Sequence, residues 1–246
     1  ALPIYENGQT VQSYGGGVCQ VSTTLYNAVL KAELEVTQRS NHSMIVTYVK
    51  PSMDAAIAGD YKDLKFVNNL DAPIYIEGYT VGKDIYFNIY GQETRPSNRK
   101  VTYESEVVSE EDPGTQFVAT GDAVGSISTT QGKHMGYVAR LWKIVTVDGV
   151  EQSRDAINKS TYKSSPKIVN VGTASADPNV VAAVNAALAT GDEATIYATV
   201  AQYSGAGQTP SEAPAEAPAD SSAEAAAILG TVDESQITGN TTTEGQ

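Results

Sequence analysis

Between Val18 and Ala32 apolar residues recur at three- and four-residue steps, Val18, Val21, Leu25, Ala28, Val29 and Ala32, with Tyr26 and Leu30 widening the stripe. This spacing predicts a helix packed over most of its surface. Tyr14-Gly15-Gly16-Gly17 stands just before it, a stretch that cannot hold a helix but can turn the backbone sharply into one, so Cys19 is expected in the first turn. The pattern then changes to short strand-like runs, Met44 to Val49, Leu64 to Val67, Pro73 to Tyr79 and Ile85 to Tyr90, with turn chemistry at Asn68-Asn69 and over Val81 to Asp84. Residues 1–94 therefore read as an α+β domain, one helix laid on a mainly antiparallel sheet. Arg95 to Lys100 is polar with a proline and reads as a linker. Over 101–173 β-branched and polar residues alternate between spaced glycines, which predicts an all-β module. Residues 174–203 form an extension in which Asp177 to Leu188 reads as a helix, Asp177 capping it and Pro178 in its first position. Ile196 to Tyr203 fits a strand or a continued helix.

The balance of 16 Lys+Arg against 29 Asp+Glu, a net charge of −13, argues against a nucleic-acid partner, which would need a basic face. Part of that charge is local. Ser204 to Gln246 holds seven acids, no Lys or Arg and a Pro/Ala/Glu/Ser run, the composition of a disordered acidic tail. The remaining residues carry an ordinary −6. The longest apolar runs fall short of the roughly 18 residues a membrane span requires, so a soluble chain, or the soluble part of one, is expected. Ala1 to Gln12 has neither the charged nor the apolar region of a signal peptide, and an anchor, if there is one, is expected upstream.

With one cysteine there is no internal disulfide and no cysteine-based zinc site, which leaves Cys19 as a buried small hydrophobe or a reactive thiol. At a helix start the backbone N–H groups favour the thiolate, the form that attacks carbonyls. The glycines would let a substrate carbonyl approach, and the N–H groups of Cys19 and a neighbour would form an oxyanion hole. His42, where the helix has ended and the chain returns, is the natural base, and Asp54 the orienting acid, with Asp63 and Asp60 as weaker options. His134, in the all-β module, is a poor candidate. Each residue also has a plainer reading: Cys19 as core, His42 as part of a polar loop, Asp54 as a turn residue after Pro51. Trp142 and Tyr137 would make either a sugar-stacking surface or core packing.

The run GGGVCQVSTTLYNAVLKAELEV, then Arg39 to Ser43, YVKPSMDAAIAGD and DLKFVNNLDAPIYIEGY, resembles the VanW domain of Gram-positive bacteria over about residues 1–92. Tyr103 to Glu106, Pro113-Gly114, Gly121, Gly125 and the closing Ile168 to Thr173 are similar to the wall-associated domain family named for its five glycines. The first resemblance implies association with glycopeptide-resistance clusters and a cysteine L,D-transpeptidase of peptidoglycan, with Cys19 as nucleophile, His42 as base and Asp54 as orienter. Gly16, Gly17, Gln20, Ser22, Arg39 and Ser43 are the accompanying candidates for substrate binding. No metal or organic cofactor is called for. The partners implied are stem peptides and, through the second module, glycan strands, which places the chain outside the cell at the wall or membrane. A carboxypeptidase or endopeptidase using the same thioester, and a non-catalytic wall-binding or adhesion protein with Cys19 as core, are the alternatives. Two departures stand out. VanW domains usually begin several tens of residues further upstream, and position 33 is Glu where a glycine helix stop is usual, which should change only how the helix ends.

Overall fold

A computed structural model describes residues 2–6, 9–13 and 17–204. The N-terminal part contains strands β1 (Leu2–Glu6) and β2 (Gln9–Ser13), helix α1 (Val18–Lys31), and strands β3 (Glu35–Gln38), β4 (Lys65–Val67), β5 (Tyr75–Val81) and β6 (Asp84–Tyr90). The strands pair antiparallel as β1–β2, β3–β4 and β5–β6, so three separate two-stranded units stand where a sheet was expected. Helix α1 packs on β6 and β3. The 205–246 segment, expected to be a disordered tail, lies outside the described residues, as does Gly16.

Two local expectations need correction. Residues 44–49 form bends and no strand. The residues just before this segment are held by single bonds in place of a ladder: Lys163 N donates to Ser43 O, and Asn41 Nδ2 donates to Thr161 O. Such side-chain and single backbone bonds compete with regular pairing. The buried face of α1 is only partly its apolar stripe. Val18 and Val21 are exposed, whereas Ser22, Thr23 and Asn27 are buried along with Tyr26, Val29 and Leu30. The polar members of that face hold a loop: Ser22 Oγ donates to Ala55 O at 2.6 Å, Ala55 N to Thr23 Oγ1 at 3.0 Å, and Asn27 Nδ2 to Met53 O at 2.8 Å. Periodicity of apolar residues misses a face buried through hydrogen bonds.

The end of α1 follows the glycine pattern without the glycine. Glu33 has φ 57°, Leu34 N donates to Val29 O and Glu33 N to Leu30 O, the two bonds of a Schellman stop. A non-glycine residue in this conformation costs energy, and here its side chain makes compensating contacts. Arg99 donates to both carboxylate oxygens, at 2.6 and 2.9 Å, and Lys143 lies at 2.6 Å. Arg99 above all, with Lys143 and Arg95, holds the Glu33 carboxyl down to about 2. Arg95 and Arg99, read as linker residues, thus latch the helix end to the following module.

That module consists of β7 (Arg99–Glu111), β8 (Thr115–Ala123), β9 (Ile127–Gln131), β10 (Gly136–Val147), β11 (Val150–Tyr162) and β12 (Lys167–Ala174). They form two three-stranded sheets, ordered β11-β10-β7 and β8-β12-β9, the β8–β12 pair being parallel. Tyr137 and Trp142 lie an odd number of positions apart on β10 and so face opposite sides of the sheet, which excludes a joint sugar-stacking surface. Trp142 Nε1 donates to Glu106 across the β7 pairing. His134 makes an isolated bridge with Ser165 in the same module.

Helices α2 (Pro178–Thr190) and α3 (Glu193–Tyr203) follow. Asp177 caps α2 through Asn179 N, with Pro178 in the first turn as predicted, and the segment left open as strand or helix is α3. Val169, Val171, Val184, Ala187, Ile196 and Val200 form a core between the helices and β12. Gly172 is required there, because a Cβ would stand 2.2 Å from Ala123 O. Ile196, fully buried in this cluster, should cost about 2–5 kcal/mol when replaced by alanine, read as a lower urea midpoint with an unchanged slope.

Candidate active site

Gly17 caps α1 with φ 95°, a left-handed conformation that side chains rarely adopt, and its carbonyl accepts from Gln20 N and Val21 N at 3.0 Å. This turn presents Cys19, a free and partly exposed cysteine, in the first turn of the helix. Its Sγ lies 3.5 Å from both Ile57 N and Ile57 O. Ile57 ends the loop that α1 grips through Ala55, so the same polar helix face that misled the periodicity sets the distance between loop and thiol.

Opposite Cys19 stands His42. Its Nδ1 lies 2.7 Å from Asp54 Oδ2, and its backbone N–H donates to the same oxygen at 2.7 Å. A carboxylate at Nδ1 fixes the proton there and leaves Nε2 as the ring nitrogen open to a second group. Tyr48 OH is 3.4 Å from Nε2. Asp54 is fully buried, and its other oxygen accepts from Arg39 Nη2 at 2.7 Å and Tyr162 OH at 2.5 Å. A buried carboxylate with this many donors stays ionised.

Electrostatics agree with the geometry. The hydrogen bond from His42 lowers the Cys19 thiol pKa, against partial burial, with help from Ile57 N–H and the charges of His42 and Lys62. Burial pulls the His42 imidazole down, but its bonds to Asp54 and Cys19 outweigh this and leave it raised. Burial likewise opposes ionisation of Asp54 and is outweighed by His42, Arg39 and Tyr162, so its pKa is lowered. Both shifts move the pair toward a thiolate beside an imidazolium.

The remaining candidates fall into two groups. Gln20 and Ser43 are exposed near this set, Ser43 Oγ lying 3.4 Å from Lys62 Nζ. Ser22 and Arg39 turn inward: the Ser22 hydroxyl sits on Ala55 O, and the guanidinium donates to Asp54 O, Asp54 Oδ1 and Ser160 Oγ. In these positions they shape the site from behind. Asp60 is exposed and Asp63 accepts from Leu64 N, whereas the carboxylate bonded to His42 is that of Asp54. Lys62, Ser160 and Tyr162 carried no signal in the sequence, because each lies outside the motifs and is assembled only in space, and Tyr48 opens the YVKPSMDAAIAGD run without being singled out there.

A family model described as "VanW like protein" matches residues 1–90, and one described as "G5 domain" matches residues 98–174. The uncharacterized protein YoaR of Bacillus subtilis (strain 168) is 37% identical over 93 residues, which cover 38% of this chain and 31% of that relative. Two solved structures, the IgA1 protease G5 domain (26% identical, TM-score 0.24, covering 31% of this chain and 94% of that one) and HP0197-G5 (20%, 0.17, 30% and 99%), are also similar. No helix among the described residues is long and apolar enough to cross a membrane. On these matches the chain carries a VanW domain followed by a G5 domain, the makeup of a cell-wall-associated protein.

Proposed function

We propose that this chain is a cysteine acyltransferase of peptidoglycan, of the L,D-transpeptidase type. The observation that carries the reading is a partly exposed thiol in the first turn of α1 whose pKa His42 lowers, with His42 Nδ1 held at 2.7 Å by the buried Asp54. In the first half-reaction the Cys19 thiolate adds to the carbonyl that joins the third residue of a stem peptide to its terminal D-Ala. A C–S bond forms, the C–N bond breaks, and His42 delivers its proton to the departing amine. In the second, the side-chain amine of a neighbouring stem attacks the thioester and passes a proton to His42. A C–N bond forms and the thiolate leaves. Backbone N–H groups at the start of α1 carry the developing oxyanion.

Arg39 and Asp54 take no part in bond making; they keep the imidazole in place. The G5 domain, by the same reading, brings the enzyme to glycan strands outside the cell. A simple core role for Cys19 fits poorly with a thiol that solvent reaches and that a charged pair surrounds.

The test is incubation of the purified chain with a tetrapeptide muropeptide, with and without an added amine acceptor, followed by mass spectrometry. D-Ala release and a thioester-linked adduct are expected from the wild type and neither from Cys19→Ala. Release that is unchanged in Cys19→Ala would sink the proposal. Shortened peptide without cross-linked product, even with acceptor present, would assign the same thioester to hydrolysis.

A further inference from the structure

The structure assigns Tyr162, with Ser160, as a positioning residue of the candidate active site, supplied to the VanW domain by strand β11 of the G5 domain. The phenol of Tyr162 is only 2% exposed, accepts from Ser52 N at 2.7 Å and donates to Asp54 Oδ1 at 2.5 Å. Ser160 Oγ accepts from Arg39 Nη1 at 2.7 Å and from Ser52 Oγ at 2.9 Å. Two residues nearer the strand start, Asn158 Nδ2 donates to Ser52 O at 3.0 Å and to Tyr26 OH at 2.8 Å. Three residues at period two on one strand therefore hold both the loop that carries Asp54 and the arginine that shares its carboxylate.

Local structure explains why these three face the same way. The β10–β11 register skips Ile157, leaving it as a bulge immediately before Asn158. A bulge re-aims the side chains that follow it. Ser52 itself has φ 67°, a strained conformation that the surrounding bonds must maintain. The G5 contacts thus reach His42 through one intermediate, the Asp54 carboxylate. The Tyr162 hydroxyl bonds to Ser52 and Asp54, behind the thiol and the imidazole, which makes its role orientation. On this inference the reacting set is complete only when the two domains are joined.

The inference rests on the reading of Cys19, His42 and Asp54 as a reacting set, but it can fail or survive separately. In the full chain, the His42 imidazole would be titrated by NMR, and the alkylation of Cys19 by iodoacetamide followed against pH, in wild type, Tyr162→Phe, Ser160→Ala and, as a control on the exposed side of β11, Arg154→Ala. Groups facing His42 are Asp54, Cys19, Tyr48 and, through Asp54, Arg39, with Lys62 nearby. If Tyr162 orients Asp54, its loss lets the carboxylate swing from Nδ1. The His42 titration should then fall to lower pH, and Cys19 alkylation at pH 7 should slow roughly fivefold, the effect of one buried hydrogen bond. Ser160→Ala should move both in the same direction, and Arg154→Ala neither. A His42 titration that stays in place or rises in folded Tyr162→Phe and Ser160→Ala overturns the inference, because a residue that only supports the fold would lower thermal stability without moving it. Should wild-type Cys19 show an ordinary thiol pH profile, the acyl-transfer reading falls while the His42 titration still decides the positioning role.

Discussion

Replacing His42 by alanine is expected to reduce acyl transfer by about 10²–10⁴-fold, the usual contribution of a positioned general acid–base. The same change should raise the apparent pKa of Cys19 toward its ordinary value of about 8.5, since the bond to His42 is the largest influence lowering it. The two readouts separate the roles of the imidazole. Alkylation reports only the thiolate fraction, whereas acyl transfer also needs a proton for the departing amine. A folded His42→Ala protein whose thiol pH profile matches the wild type would show that no Cys–His pair operates. In the wild type, transfer should be confined between two limbs: it rises as the thiol ionises, at a pH below the ordinary thiol value, and declines as the raised imidazole loses its proton.

Asp54→Asn should have the largest effect on stability, a loss of about 3–5 kcal/mol, because it leaves the Arg39 guanidinium buried without its counter-charge. The amide conflicts with the bonding pattern as well. Asp54 Oδ2 accepts from both His42 N–H groups, and an NH₂ in that place would force the imidazole to the other tautomer. In the serine-protease triad this substitution acts through the same tautomer error, and activity should fall here for the same reason. Urea unfolding followed against pH checks the electrostatic part. The folded pKa of Asp54 is lowered, so its contribution is fully present above the unfolded value of about 3.9 and is lost as pH falls through the folded one. The His42 pKa is raised, so its contribution is present below about 6.5 and disappears as pH rises through the folded value. Both slopes should flatten in Asp54→Asn. A pH profile of stability parallel to that of the wild type would mean that the pair contributes nothing to folding.

Much of the fold could be read from local chemistry. Helix α1 begins and ends where the glycines and the apolar run place it, Asp177 and Pro178 open α2, and β4, β5 and β6 fall on the alternating stretches. These features depend on residues close together in the chain. The misreadings share a cause. Segment 44–49 has the composition of a strand but follows residues held by isolated bonds to Thr161 and Lys163, and Arg95 and Arg99 look like linker residues until Glu33 is placed beside them. Their partners lie more than sixty residues away, beyond any local pattern.

The candidate site divides along the same line. Cys19, His42 and Asp54 are conspicuous in sequence: one thiol after three glycines, one histidine where the chain returns, one acid on the far side of a proline. Residue type and order were enough to nominate them, because reactive side chains are few. Order alone could not say which of three acids meets the imidazole, that Ser22 and Arg39 face inward, or that Tyr162 and Ser160 complete the set from the other domain. Those relations depend on the distance between segments far apart in the chain, which is set by the polar grip of α1 on the 53–57 loop and by the bulge at Ile157 that turns Asn158, Ser160 and Tyr162 toward it.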